Sequence, residues 1–284
     1  MKVKSVNTPN FVTYPVTPSI VRIFGVGQEV MTLVEGEEKA LLFDTGLGYG
    51  NIREFAESMT DKPVICVISH GHGDHVGGNA CFEEVYIHPK DMELAASSTL
   101  EERKKNVGGL CRQRGYAIET DLSPMVPDPV DTRMIPVEDG YVFHLGGIDL
   151  KVVEMPGHTA GSIGLLNEKE RYILVGDAIC RGTLVGLPGQ PTINEFADML
   201  RKFIEKYKGK IDFVLPAHGP CPEQFRIFEG NLDAAEGYIS GKYEPYLDEF
   251  GKIIGLNIWR IKQETAIEGF CTDGMIGNVT VIPS

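Results

Sequence analysis

Three of the chain's seven histidines lie within six residues of one another, beside an aspartate. They follow an apolar run, Val64–Ser69, that is typical of a buried strand. The residues are His70, His72, Asp74 and His75, and the glycines between them allow the backbone to turn sharply. We expect the first two histidines to direct nitrogens at one centre, and the Asp-His pair to face a neighbouring centre. Imidazole and carboxylate together are ligands of zinc, and also of iron or manganese.

Three later strands also end in turns of small residues that each carry one ligand-type side chain. The strands and their ligands are Leu150–Glu154 with His158, Tyr172–Val175 with Asp177, and Phe213–Leu215 with His218. Binding sites of layered α/β folds lie at such strand ends. The sequence therefore predicts that four strands deliver ligands to one edge of the fold.

This arrangement resembles the metallo-β-lactamase superfamily, whose signature is H-x-H-x-D-H followed by a distant His, an Asp and a final His. The match covers roughly residues 20–240, and every ligand position is filled. The resemblance implies two divalent metal ions, with Zn²⁺ expected first and Fe or Mn as alternatives. It assigns His70, His72 and His158 to one metal, assigns Asp74, His75 and His218 to the other, and makes Asp177 the bridge. Asp44, in the turn after strand Ala40–Phe43, would orient a ligand histidine.

The resemblance also implies a reaction. Two divalent metals lower the pKa of bound water towards about 7 and polarise an acyl or phosphoryl oxygen. A metal-bound hydroxide would then hydrolyse a small acyl substrate such as a thioester, lactone or amide, as in the glyoxalase II and lactonase branches. Asp74 is the expected catalytic residue, because its carboxylate can handle the proton of the attacking water or of the leaving group. A phosphodiesterase acting on a small phosphodiester and a diiron redox protein are the alternatives.

The fold expected from these patterns is α/β, and the resemblance makes it a four-layer αββα sandwich with a short C-terminal β-rich extension. We expect the hydrolase domain to span residues 1–245 and the extension to span residues 246–284, packed on the same domain. Thr192–Glu195 reads as a capping box that begins a helix, and a second helix follows Pro222. Weaker helices are expected at Ile52–Met59 and Lys90–Ala96. Further strands are expected at Val21–Phe24, Met31–Val34, Val85–His88, Ile163–Leu166, Leu256–Ile261, Ala266–Gly269 and Val279–Ile282.

The segment Asn106–Pro136 is rich in Gly, Arg and Pro and has weak periodicity, so we expect a long loop that covers the site. Arg112 and Arg114 in this loop, and Arg181 after Asp177, could bind a substrate carboxylate through the guanidinium group. Solvated surface arginines are equally compatible with the sequence. A loop on the outer face, or a contact within a homodimer, is the alternative for the whole segment.

Composition argues against several classes of partner. The chain of 284 residues has 27 Lys and Arg against 40 Asp and Glu, a net charge of −13, so a nucleic-acid partner is not expected. The longest apolar runs fall short of about 18 residues, so no membrane partner is expected. The N-terminus lacks an apolar signal region, and we expect six free cysteines in a cytoplasmic protein. The expected partner is a small-molecule substrate.

Overall fold

The computed structural model describes residues 3–27, 29–105, 121–219 and 222–242, and beyond these the strand residues 245–246, 256–258 and 278–281. The chain divides into two compact units, Met1–Val152 and Val153–Ser284. The division predicted at residue 245 stays a prediction. In the described residues, we find no helix with the length and apolar character needed to cross a membrane.

The first unit contains a seven-stranded sheet whose strands follow one another in chain order. The first four strands are antiparallel and the last four, from β4 onward, are parallel. Because β4 and β5 run parallel with Phe43 opposite Val67, the residues after both strands emerge at the same edge. The strands are β1 (Val12–Thr17), β2 (Ile20–Phe24), β3 (Val30–Glu35), β4 (Ala40–Phe43), β5 (Val64–Val67), β6 (Glu84–Ile87) and β7 (Arg133–Pro136).

Buried apolar residues hold this sheet against short helices. Strands β3 and β4 are buried along their whole length, as expected of central strands covered on both faces. Helix α1 (Ile52–Met59) begins at Asn51, whose side chain accepts a hydrogen bond from the backbone of Glu54, and it buries an apolar stripe at helical spacing. The remaining short helices are α2 (Gly73–Val76), α3 (Met92–Ser97) and the 3₁₀ turns Asn79–Cys81 and Pro89–Asp91.

Strand β9 (Asp149–Glu154) begins in the first unit, where it pairs with β8 (Val142–His144), and it ends in the second. In the second unit the sheet order is β13-β11-β10-β9. Strands β11 and β13 are parallel, with Gly176 opposite Pro216, so the residues that follow both strands emerge together. The strands are β10 (Ile163–Asn167), β11 (Tyr172–Gly176), β12 (Gly182–Val185) and β13 (Phe213–Pro216).

Two helices cover the core of the second unit. Helix α4 (Ile193–Tyr207) begins with the capping box that the sequence predicts: the Thr192 hydroxyl accepts from the Glu195 backbone, and the Glu195 carboxylate accepts from the Thr192 backbone. Helix α5 (Arg226–Ile239) packs beside it, with the rings of Phe203 and Phe228 4.5 Å apart. Both helices share one cluster of buried apolar residues with the sheet.

Strand β12 belongs to a second, four-stranded sheet in the order β12-β16-β15-β14. Its Leu184 lies opposite Thr280 in a parallel pair, and Val279 and Val281 are buried in the core of the second unit. The C-terminal part of the chain therefore supplies three strands to this sheet. They are β14 (Pro245–Tyr246), β15 (Leu256–Ile258) and β16 (Asn278–Val281).

The structure confirms the predicted helices at Ile52–Met59, after Thr192 and after Pro222, and it confirms the strands that precede the ligand-type residues. The helix expected at Lys90–Ala96 begins two residues later, after a 3₁₀ turn. The loop expected over 106–136 is wrong at its end, because Arg133–Pro136 pairs with β6. The strand expected at Ala266–Gly269 lies outside the described residues.

Candidate metal centre

The ligand-type residues of the first unit follow β5 on one short loop. His72 is the N-cap residue of α2, and its carbonyl oxygen accepts from the backbone N–H groups of His75 and Val76 at 2.9 and 3.1 Å. Gly71 passes so close to Asp91 that an added Cβ would lie 2.7 Å from its carbonyl oxygen. The Gly71 N–H also donates to the Asp91 carboxylate at 2.8 Å. Glycine is needed at this close approach, and it fixes the path of the loop.

His70 and His72 direct ring nitrogens at each other. The distance between His70 Nε2 and His72 Nδ1 is 3.1 Å, and the two rings are nearly perpendicular. His70 is fully buried and His72 is half-buried. This arrangement suits two imidazoles that share one cation, because two ligands about 2.1 Å from a tetrahedral zinc ion lie roughly 3.4 Å apart.

Asp44 supports this loop from beneath. It is buried, and it follows β4 with a φ of 70°, a left-handed conformation that aspartate tolerates better than most residues. Its Oδ1 accepts from the Ser69 backbone at 2.7 Å, and its Oδ2 accepts from the Ser69 hydroxyl at 2.8 Å. The same Oδ2 lies 2.9 Å from His75 Nδ1. One carboxylate thus contacts both the start and the end of the ligand loop.

These contacts decide which ring nitrogen of each histidine carries the proton. The Asp44 carboxylate only accepts, so His75 Nδ1 donates to it and His75 Nε2 keeps a lone pair. That Nε2 lies 3.5 Å from Asp74 Oδ2. The Ser69 hydroxyl donates to Asp44, so His70 Nδ1, at 2.9 Å, donates to the serine oxygen. His70 Nε2 then also keeps a lone pair, which is the state that binds a metal.

The thiol of Cys66 lies on β5, just before this loop. It is buried, and burial raises the pKa of the Cys66 thiol well above its ordinary value, with a smaller contribution from the Asp44 carboxylate. A thiol with a raised pKa is a poor nucleophile and a poor metal ligand. Cys66 is instead part of the buried apolar core of the first unit, just before the ligand loop.

In the second unit, His158 lies on the loop after β9. Its Nδ1 is 2.8 Å from the carbonyl oxygen of Leu184, so Nδ1 donates and Nε2 keeps a lone pair. Gly157 packs against the ring of Phe196, where an added Cβ would lie 2.3 Å from a ring carbon. The position of His158 therefore depends on both β12 and helix α4.

Asp177 and His218 follow the parallel strands β11 and β13. The Ala217 N–H donates to the carbonyl oxygen of Gly176 at 2.8 Å, which continues the strand contact up to both ligands. His218 Nε2 lies 3.3 Å from Asp177 Oδ2, and His158 Nε2 lies 3.8 Å from the same oxygen. Two histidine nitrogens therefore face the same carboxylate oxygen of Asp177.

The side chains of both units fit divalent metal ions. The distances between ligand atoms within each unit run from 3.1 to 3.8 Å, around the roughly 3.4 Å expected for neighbouring ligands of one zinc ion. Three of the histidines have their other ring nitrogen held by an oxygen of the protein, as metal-binding histidines usually do.

Arg181, a predicted substrate anchor, contacts a carboxylate of the protein. Its Nε lies 2.6 Å from Glu223 Oε1, and the Glu223 side chain is only 5% exposed. Its role towards a substrate stays a prediction. Arg112 and Arg114, the other predicted anchors, lie outside the described residues. The described part of that segment packs on the first unit, where the Tyr49 hydroxyl donates to the carbonyl oxygen of Asp121 at 2.8 Å.

The sequence patterns did not point to Ser69, Leu184 or Glu223, although each contacts a ligand or its loop. Ser69 had a visible signal, because a hydroxyl directly precedes the first ligand histidine. Leu184 acts through its main-chain carbonyl, which no side-chain pattern reveals. Glu223 belongs to an acidic chain in which most carboxylates are exposed, so its burial could not be inferred.

The model of the metallo-beta-lactamase superfamily matches residues 24–261. This chain therefore belongs to the metallo-beta-lactamase superfamily. The predicted family and its α/β fold are confirmed.

Two curated relatives illustrate the range of the family. The human protein named acyl-coenzyme A thioesterase MBLAC2 is 29% identical over 233 residues, which cover 73% of this chain and 77% of that protein. A probable metallo-hydrolase of Streptococcus pyogenes, M6_Spy0554, is 24% identical over 210 residues, which cover 72% of this chain and 79% of that protein.

Solved structures share the fold. TTHA1623, solved in a di-iron-bound form, is 27% identical with a TM-score of 0.52, and the match covers 78% of this chain and 96% of that chain. The DIM-1 metallo-beta-lactamase, solved after exposure to ceftazidime, has a TM-score of 0.58 at 15% identity, covering 82% of this chain and all of that chain. The second likeness concerns the fold alone.

Proposed function

We propose that this chain is a metal-dependent hydrolase of acyl thioesters that holds two divalent metal ions, Zn²⁺ in the first place and Fe or Mn as alternatives. The observation that carries the proposal is the spacing of ligand atoms within each unit, which matches neighbouring ligands of one ion. The ligands proposed from the family signature are His70, His72 and His158 for one metal, Asp74, His75 and His218 for the other, and Asp177 for both.

The metals would supply a water of lowered pKa and a positive charge beside the acyl oxygen. The protein's own part is to hold the ligands and to move a proton. The side chain of Asp74 is about one-third exposed, whereas that of the neighbouring His75 is buried. The Asp74 carboxylate can therefore reach both a metal and a substrate. In thioester hydrolysis the water oxygen bonds to the acyl carbon and the C–S bond breaks. Asp74 takes the water proton and returns it to the leaving sulfur.

Similarity favours a thioester over a lactone or an amide. The human relative carries the name of an acyl-coenzyme A thioesterase, and its match covers most of both chains. The net charge of −13 disfavours a polymeric phosphodiester substrate. We therefore place thioesters of the acyl-coenzyme A class first, and a small phosphodiester second.

The test measures metal content and hydrolysis on one preparation of the full chain. We expect two metal ions per chain and release of free thiol from acyl-coenzyme A substrates, lost on chelation and restored by Zn²⁺. Acyl-homoserine lactones, p-nitroanilides and bis-p-nitrophenyl phosphate serve as the competing substrate classes. Faster turnover of bis-p-nitrophenyl phosphate than of any thioester would overturn the thioester assignment. One metal per chain at saturation would overturn the dinuclear assignment.

A matched pair of histidine variants separates ligand loss from general damage. His72→Ala removes a proposed ligand, and we expect loss of one metal with most of the activity. His144→Ala removes an exposed histidine that pairs with Asp149 at 2.7 Å on the hairpin of β8 and β9. We expect the second variant to keep both metals. Equal metal content in the two variants would argue against His72 as a ligand.

A further inference from the structure

An ion pair links the two loops of the second unit that carry Asp177 and His218. Arg181 lies shortly after Asp177, and Glu223 lies shortly after His218. Arg181 Nε is 2.6 Å from Glu223 Oε1, and the side chains are 28% and 5% exposed. The ion pair therefore connects the segment that follows β11 and carries Asp177 with the segment that follows β13 and carries His218.

Glu223 closes the base of the loop that carries His218. Its backbone N–H donates to the carbonyl oxygen of Val214 at 2.8 Å, and the Val214 N–H donates back to Glu223 at the same distance. His218 lies between these two paired residues along the chain. The side chain of His218 is 39% exposed, whereas that of His158 is 5% exposed. Packing alone therefore restrains His218 less than His158. A displacement of Glu223 would move the end of the His218 loop.

The turn that carries Arg181 is held in place from its other side. The buried Asn231 of helix α5 donates through Nδ2 to the carbonyl oxygen of Cys180 at 3.0 Å. The Thr183 hydroxyl accepts from the Cys180 backbone at 2.8 Å. This turn also leads into Leu184, whose carbonyl oxygen accepts from His158. Arg181 therefore extends from a fixed turn towards Glu223.

Stabilisation of the fold alone does not explain the Arg181–Glu223 ion pair, because burying the Glu223 carboxylate costs free energy. The Glu223 carboxylate is almost entirely removed from water, whereas Arg181 stays partly exposed. Burying a carboxylate costs free energy, and the attraction of one cation offsets this cost only partly. A buried ion pair is better explained where it fixes one geometry. Here it fixes the relative position of two loops whose ligand atoms, His218 Nε2 and Asp177 Oδ2, lie 3.3 Å apart.

We infer that the Arg181–Glu223 ion pair positions His218 against Asp177 and thereby sets the affinity for the metal that these two ligands share. Arg181 and Glu223 are positioning residues, and the inference rests on the proposed function. It gives Arg181 a role inside the protein, whereas the expected role as a substrate anchor stays a prediction.

The chain offers a matched control at the other end of the same two strands. Arg171 directly precedes β11 and Asp212 directly precedes β13. Their side chains form a two-point ion pair, at 2.8 and 2.7 Å. This pair joins the same strands as Arg181–Glu223, but at the end away from the ligands. Asp212→Asn therefore removes a more exposed ion pair between the same two strands and leaves the ligand loops untouched.

The experiment is a titration of the metal-free full chain with Co²⁺, followed by the visible absorption bands of the bound ion. In the unaltered chain we expect two binding events. In Glu223→Gln we expect one event, the binding of the metal that His218 would hold, to lose at least tenfold in affinity and the other to change less than twofold. Arg181→Gln should match Glu223→Gln, and Arg181→Lys should recover part of the loss. Asp212→Asn should leave both events unchanged.

Thermal unfolding of the metal-free variants shows whether each one folds. If Glu223→Gln does not fold, the partly exposed Arg181→Gln variant carries the test. Unchanged Co²⁺ affinities in a folded Glu223→Gln or Arg181→Gln variant would overturn the inference, as would an equal loss in Asp212→Asn. A single binding event in the unaltered chain would instead contradict the dinuclear proposal. The two failures are therefore distinguishable.

Discussion

The two units hold their ligand-type residues in different ways. In the first unit, His70, His72, Asp74 and His75 lie on one loop, and the buried carboxylate of Asp44 contacts both its ends. In the second unit, three ligands come from three separate loops. A main-chain carbonyl supports one of them, and an ion pair joins the loops of the other two. In the first unit, one buried carboxylate contacts both ends of the loop that carries all four ligand-type residues. In the second unit, several separate contacts between distant segments hold the three ligand-type residues.

The largest effect is expected from Asp74→Asn in the first unit. This change keeps the shape of the side chain and removes the charge of a residue that we propose as a metal ligand and as the group that moves the proton. We expect at least ~100-fold lower kcat/KM on a thioester substrate, together with loss of one metal. Thiol release and metal analysis provide the measurements. Asp61→Asn, at an exposed aspartate of the same unit, is the control. Near-normal turnover in Asp74→Asn would show that the chemistry does not use this carboxylate.

The next effect tests whether one anchor organises the first unit. Asp44→Asn keeps a residue type that tolerates positive φ, but it removes the charge that three donors contact. We expect Co²⁺ affinity to fall about 10- to 100-fold and the free energy of unfolding of the metal-free chain to fall by about 1–3 kcal/mol. Urea unfolding measures the second quantity. Ser69→Ala removes the hydroxyl that contacts both Asp44 and His70. It leaves the charge of Asp44, the backbone contact of residue 69 and the His75 contact in place, so it should lose less affinity. An equal loss in both variants would contradict the role of Asp44 as the common anchor.

A smaller effect separates the stability of the second unit from the positioning of its ligands. Thr192→Ala removes the hydroxyl of the capping box at helix α4, which contacts Glu195 of the same helix. We expect the free energy of unfolding to fall by about 1 kcal/mol, with no change in Co²⁺ affinity. Urea unfolding and Co²⁺ titration of the same preparation provide the measurements. A tenfold loss of affinity would mean that any destabilisation of this unit releases metal, and that the ion pair has no special role.

The smallest effect concerns the rigidity of the first unit. Burial raises the pKa of the Cys66 thiol, so its thiolate fraction at any pH below that pKa is smaller than that of a free thiol. We expect iodoacetamide at pH 8 to leave Cys66 unmodified in the folded chain and to modify it fully after denaturation. Modification should increase with pH but remain slower than for a free thiol. Mass spectrometry of the peptide that contains Cys66 provides the measurement. Rapid labelling of the metal-free chain would show that the ligand loop opens without metal.

The strands that precede the ligands could be predicted because they are apolar runs that end in small residues. The capping box at Thr192 could be predicted because its two partners are neighbours in the chain. Strands β1, β7 and β12 were missed as strands. Strands β7 and β12 have only four residues each, and partly exposed residues interrupt the apolar pattern of all three. Short strands of this kind are defined by the neighbours with which they pair.

The sequence by itself determined the chemistry of the candidate site. Its residue types and spacing identified His70, His72, Asp74 and His75 as ligand-type residues on one loop, and three others at strand ends. The sequence also predicted Asp44 as a residue that orients a ligand histidine. Only the tertiary structure decided which atoms Asp44 contacts, and it added the Leu184 carbonyl behind His158 and Glu223 opposite Arg181. These contacts join residues far apart in the chain through backbone atoms or common polar side chains. Local sequence patterns show which ligand-type side chains follow each strand. The parallel pairing of the strands determines which of these side chains lie close together.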